Sequence, residues 1–161
     1  MSNFKKLLTL VFCIVLLVAL LLCIIPIPGK VNMTLQGYAV NAGGEITDEI
    51  TITAEGKFRN YLIVQDEMYA NMTIAFASGS TVQAESAGPF LQLNDDVIVC
   101  RLSYLAGDSQ QFDGGYMGFS QDRNHFILEG MTDGSYYVAS TDEGRDASAL
   151  LSFFSAFTDR D

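Results

Sequence analysis

The chain predicts an antiparallel all-β domain, a β-sandwich or barrel, preceded by one N-terminal transmembrane helix and closed by a short C-terminal amphipathic helix. Three observations predict it. Leu7 to Ile25 is an apolar run broken only by Thr9. From Val31 to Ala139 apolar residues recur at every second position in short segments divided by turn residues, and after Ser140 the recurrence changes to helical spacing. Crossover helices between the strands are missing from the pattern, which excludes a parallel α/β sheet.

The apolar run comes first. Its nineteen residues make a helix of about 28 Å, close to the roughly 30 Å hydrocarbon core of a bilayer. Lys5 and Lys6 precede it and only Lys30 stands close behind it, so the basic bias keeps residues 1–6 in the cytoplasm and exports the rest of the chain. Residues 7–25 therefore read as a single-pass signal anchor of the cell membrane. Residues 26–30 read as a Pro/Gly linker, because Pro26 and Pro28 lack an amide donor and disfavour helix in their predecessors. The alternative is secretion after signal cleavage, which calls for an apolar core of about 7–15 residues and small residues at the cut. Here Gly29 is the only tolerable cut position and Ile27 is a poor partner two residues before it. Leu22 stands where a lipidated Cys23 would need a small residue.

The exported part, Val31 to Asp161, is long enough for one domain with its own core. It carries all nineteen acidic residues against six basic ones (Lys57, Arg59, Arg101, Arg123, Arg145, Arg160), a formal charge of −13. Such a surface repels nucleic acid and anionic lipid headgroups, and suits a solubilised outer face. Cys13 and Cys23 lie in the apolar run, leaving Cys100 as the one thiol outside it. No intradomain disulfide can form, which fits a bacterial envelope protein better than a disulfide-built ectodomain. The sequons at Asn32 and Asn71 would matter only in a eukaryotic secretory route.

Residues 31–140 are expected to be strands almost throughout. Val31 to Ala39 alternates, as does Ile46 to Glu55 after the Ala42-Gly43-Gly44 turn, and the two should pair as a hairpin. Gly56 is expected to break the pattern before a strand from Phe58 to Val64, whose Tyr61-Leu62-Ile63-Val64 run is apolar on both faces and so suits a central strand. Met68 to Phe76 alternates again. Ser78 to Gly88, rich in Ser, Gly and Ala, is expected to be a loop around a short strand at Thr81 to Ala84. Phe90 to Leu93, Val97 to Leu105, Gly115 to Ser120, His125 to Glu129 and Ser135 to Ala139 complete the set, with Gln121-Asp122-Arg123-Asn124 and Thr132-Asp133-Gly134 as turns. Strands recurring at about 8–12 residues are the mark of an antiparallel sandwich or barrel.

Residues 141–157 read as a helix capped by Thr141 or Asp142. Ala147, Leu150, Leu151, Phe154 and Phe157 form its apolar stripe, and Asp142, Glu143 and Asp146 lie near the positive end of its dipole. The stripe is expected to pack over the β core. Residues 158–161 form a tail.

Few residues could carry chemistry, and the expectation is that no catalytic, cofactor-binding or metal site exists. His125, the only histidine, is expected at the surface beside a turn with Glu129 on its side of the strand. A lone histidine does not nucleate a zinc site. Cys100 shares its face with Ile98 and Leu102, which marks it as an inert core thiol rather than a nucleophile. Asp95 and Asp96 are adjacent, so on a strand they would point to opposite faces and cannot share a proton. Asp108, Asp113 and Asp122 lie in expected loops without the ordered spacing of a calcium site. The glycines in Asp113-Gly114-Gly115-Tyr116-Met117-Gly118 neither bring a lysine nor lead into a helix, so they do not make a phosphate cradle. Tyr61, Tyr69, Tyr104, Tyr116, Tyr136 and Tyr137 fall on expected strands, and outward-facing members would offer a contact surface to a protein or glycan. The expected role is therefore a non-catalytic binding or interaction module held at the outer face of the membrane. The alternative is a small cell-envelope hydrolase or isomerase that gathers carboxylates in a cleft.

Overall fold

A computed structural model describes residues 3–63, 65–103, 115–130, 134–142 and 146–159. The N-terminal helix α1 spans Asn3–Ile24. Eight strands come after it: β1 (Ile27–Val40), β2 (Ile46–Asn60), β3 (Glu67–Phe76), β4 (Thr81–Gln92), β5 (Val97–Ser103), β6 (Tyr116–Ser120), β7 (His125–Glu129) and β8 (Tyr136–Ser140). Two short helices, α2 (Ala147–Phe153) and α3 (Ser155–Thr158), end the fold. The strands form an antiparallel meander in which β8 returns to β1, so the sheet is a closed barrel and not a sandwich. Closure leaves no free sheet edge along the paired strands.

Alternation fills the barrel. Val31, Leu35, Ile52, Phe58, Met68, Met72, Ile74, Leu102, Met117, Phe119, Phe126 and Leu128 are among the buried interior side chains. Phe58, Phe90, Phe119 and Phe126 run through the interior as successive tilted or edge-to-face pairs, with centroid separations of 5.8, 6.3 and 5.1 Å. The interior is thus a packed core, as expected when eight strands leave just enough room for side chains. Cys100 lies in it beside Leu102, and burial pushes its thiol up to about 11. It is protonated and inert at neutral pH.

Two glycines let the long strands bend around this core. Gly37 faces Ala139, and a Cβ added there would lie 1.9 Å from the Val138 carbonyl oxygen; one at Gly56, opposite Ala70, would lie 2.1 Å from that of Tyr69. Backbone passes where a side chain would stand. Gly56 therefore does not break a strand: β2 runs through it as one 15-residue element.

Other departures from the sequence-based expectations have local causes. β2 stops at Asn60, and Tyr61 N–H donates to the Asp66 carboxylate at 2.7 Å, which closes a loop. Leu62 and Ile63 accordingly sit in an exposed bend and not in a central strand. Of the Ser/Gly/Ala-rich segment, residues 78–80 form the expected loop, but from Thr81 on it is all part of β4, which extends to Gln92 with an irregularity between Ser86 and Phe90 where Gly88 has φ 145°. Residues 27–30 do not form a linker: they pair with Lys57–Asn60 as the start of β1. Pro28 is tolerated because, among the described residues, β1 meets β8 only over Gln36–Val40, so its first half has a strand neighbour on one side.

The C-terminal helix starts later than its sequence suggests. Asp146 is its N-cap, accepting from Ala149 N–H and Ser148 Oγ–H, both at 2.7 Å. Asp142 lies outside the helix, its N–H donating to Ser140 Oγ at 3.0 Å. Phe154, with φ −93° and ψ 21°, divides α2 from α3. Ala147, Leu150, Phe154 and Phe157 then cover Val40, Val97, Val99, Ile127 and Val138 on the outer wall. β6 to β8 are for that reason buried on both faces, whereas β1 to β3 alternate buried and exposed.

α1 has no such partner. Phe4–Leu21 is exposed throughout, with a mean hydropathy of 2.5. By length and composition it is able to cross a membrane.

Candidate functional site

With the lumen packed, the surfaces that the molecule offers to a partner lie on its outside and at its ends. A groove of about 510 Å³ lies on the outer wall of β1 to β3, with Ser140, Thr141 and Asp142 on its rim. Outward-facing residues supply its lining: Thr34, Gln36 and Tyr38 from β1, Glu49 and Thr51 from β2, and Ala75 from β3. The register brings them together, since Tyr38 opposes Glu49, Gln36 opposes both Thr51 and Ser140, and Thr51 opposes Ala75. The same alternation that fills the lumen thus leaves a surface of hydroxyls, an amide, one tyrosine and carboxylates. That chemistry makes hydrogen bonds to a polar chain.

Behind the rim lies a buried polar network. His125 Nδ1 is 3.0 Å from Ser140 Oγ, and the His125 ring meets Phe153 edge-on with centroids 5.2 Å apart. His125 is consequently buried, contrary to the surface position expected of it. Alternation does put Ile127 and Glu129 on its side of the strand, but α2 covers that face. Ser120 Oγ accepts from His125 N–H at 2.9 Å and Asn124 N–H at 3.1 Å, and donates to Asp122. Asp122 also accepts from Asn124 through backbone and side chain. The Ser120 hydroxyl and then the Asn124 amide hold its carboxyl below the usual range. The Ser120, Asp122 and Asn124 bonds close the β6–β7 turn on itself, and the His125–Ser140 contact ties that turn to the end of β8. They are structural, and Asp122 spends its acceptor capacity inside its own turn.

Other candidate residues fall where their local chemistry sends them. Asp95 and Asp96 are exposed in the β4–β5 turn, where Asn94 Oδ1 accepts from Asp96 and Val97 N–H. Asp108, Asp113, Gly114 and Tyr104 lie outside the described residues. Among the described residues no group of three His, Cys, Asp or Glu could hold a metal ion. Tyr137 faces the lumen, edge-on to Phe76 at 5.7 Å. Tyr69 and Tyr116 face outward and are partly exposed.

Two features have no signal in the linear sequence. Arg123, the one non-glycine residue with positive φ (62°) among those described, lays its guanidinium 3.8 Å from the centre of the Phe58 ring, which lies opposite Gly29 near the start of β1. Glu67 accepts from Arg59, Tyr61 and Tyr69 at 3.5, 3.4 and 3.2 Å, while the Arg59 guanidinium sits 4.8 Å over the Tyr69 ring. Four residues from two strands and a loop form this cluster, and only cross-strand register could have revealed it.

Comparison with protein-family models, with curated proteins and with solved structures gives no match to this chain.

Proposed function

We propose that this is a single-pass membrane protein, its N-terminus cytoplasmic, which holds the barrel at the extracytoplasmic face as a non-catalytic binding module. The observation that carries this reading is the contrast between the helix and the barrel. Phe4–Leu21 is apolar and packs against nothing, whereas every other apolar stripe of comparable size in the described residues is absorbed by one of two cores. A helix so exposed is stable in hydrocarbon and not in water. Lys5 and Lys6 before it support the orientation.

The packed lumen supports a role on the outer wall. The groove beside Ser140 is the surface to which a protein segment or a glycan would bind, through Gln36, Thr51 and Tyr38. The experiment is site-specific photocrosslinking from Thr51 of the full-length protein in its native membrane, with the same crosslinker at exposed Gln83 on β4 as the control position. An adduct formed from position 51 and lost on Gln36→Arg supports the reading. Equal labelling from both positions, or extraction of the protein from membranes by alkaline carbonate, overturns it.

A further inference from the structure

Three features of the barrel end that receives α1 remain unexplained by packing. First, Leu62 and Ile63 are 64% and 74% exposed at the tip of the β2–β3 loop, and Ile25 and Ile27 are more than half exposed beside the helix end. Second, Lys30 and Lys57 stand directly opposite each other across β1 and β2, both exposed, with Arg59 two residues further along. Directly opposed like charges destabilise a strand pair. Third, Tyr61, Tyr69 and Arg59 gather around Glu67 on the same wall.

Their position makes them one feature. α1 ends at Ile24 and β1 begins at Ile27, a gap the chain spans in at most about 10 Å. Ile27 pairs with Asn60, so the loop carrying Leu62 and Ile63 begins one strand spacing, about 5 Å, from the start of β1. The headgroup zone is itself about 6 Å thick on each side of the hydrocarbon. An apolar tip with tyrosines and basic side chains behind it, close to the end of a spanning helix, is the arrangement of an interfacial anchor. Asp66 and Glu67 stand at the β3 end of this loop, where Asp66 accepts from Tyr61 N–H and Glu67 pairs with Arg59, while Asp95 and Asp96 occupy the β4–β5 turn, across the barrel from β1 and β2. On a domain with a formal charge of −13, Lys30 and Lys57 thus place two basic side chains on the wall beside the helix end.

We infer that the β2–β3 loop is a second membrane contact, inserting Leu62 and Ile63 into the headgroup boundary of the outer leaflet while Lys30 and Lys57 face lipid phosphates. The inference rests on the proposed spanning role of α1. It gives the barrel a fixed tilt, with β1 and β2 toward the lipid and the β3–β4 turn at the far end.

The test uses the full-length chain with Cys13 and Cys23 replaced by serine, reconstituted in phosphatidylcholine–phosphatidylglycerol vesicles. Single cysteines at Ile63→Cys, Ser80→Cys and Val15→Cys carry an environment-sensitive fluorophore, Cys100 being buried and unreactive. Expected is blue-shifted emission at position 63 that headgroup-region spin-labelled lipid quenches, water-like unquenched emission at position 80 in the β3–β4 turn, and quenching at position 15 by deep spin labels. Water-like emission at position 63 with position 15 deeply quenched overturns the second contact and leaves the anchor standing. Water-like emission at position 15 overturns both.

Discussion

Gly118 is where the barrel wall and its C-terminal cover meet most closely. It lies on β6 between Val99 and Ile127 of the neighbouring strands, facing outward under α3. A Cβ added there would stand 2.9 Å from Ile127 Cγ2, and 3.0 and 3.3 Å from Cδ2 and Cε2 of Phe157. Carbon atoms settle at about 3.5–4.0 Å, so the ring must retreat by roughly half an ångström or more. Overpacking of this kind costs about 1–3 kcal/mol. Phe157 is buried, and Phe157→Ala by itself should cost about 3–5 kcal/mol. The two losses should not add. With the ring gone, the new methyl occupies part of the vacated space, and the double variant should be more stable than the sum of the single effects by about 1 kcal/mol. Urea unfolding of the full-length protein in mild detergent, monitored by tyrosine fluorescence because the chain has no tryptophan, measures all four corners of the cycle. A neutral Gly118→Ala, or additivity within about 0.5 kcal/mol, would refute the packing of α3 on β6.

The same geometry sets three further outcomes. Gly37→Ala should be far worse than Gly118→Ala, above about 4 kcal/mol, because its Cβ would meet backbone at the seam that closes the barrel; loss of amide protection in β8 reads it directly. His125→Ala removes a buried ring with its Ser140 bond and Phe153 contact and should cost about 2–4 kcal/mol in the same urea titration. Asp146→Ala should loosen α2, as seen in faster amide exchange at Ala149 and Leu150. The Ser148 hydroxyl and then the Ala149 amide hold the Asp146 carboxyl below its usual range. The folded-state value therefore lies under the unfolded one, and the cap's contribution is complete above the unfolded value and fades as the pH falls from there through the lower folded-state value. The variant should flatten that dependence.

Periodicity carried most of the strand content because a side chain's face is a local property: Val31, Leu35, Ile52 and Met72 alternate with polar neighbours whatever the sheet does. For the same reason Cys100 was legible as core. Periodicity failed where a tertiary contact outweighs local pattern. The Tyr61-Leu62-Ile63 run reads as a buried strand, but the bond from Tyr61 N–H to Asp66 ends β2 at Asn60 and leaves the two aliphatic side chains exposed. Gly56 reads as a breaker, yet the barrel's curvature requires a residue without a Cβ there. His125 reads as surface because nothing near it in sequence announces the helix that covers it.

By itself the sequence determined an apolar helix of spanning length, a β domain without disulfides, its acidity and which residues face inward. These depend on composition and on the two-residue and 3.6-residue repeats, which need no knowledge of partners. Only the tertiary structure decided that the sheet closes. That depends on β8 meeting β1 over Gln36–Val40 around glycines 37 and 56, a pairing between residues about a hundred positions apart. Closure in turn filled the lumen and moved the candidate binding surface to the outer wall, while the register of β1 on β2 brought Leu62, Ile63, Lys30 and Lys57 to the end of the barrel where the helix enters.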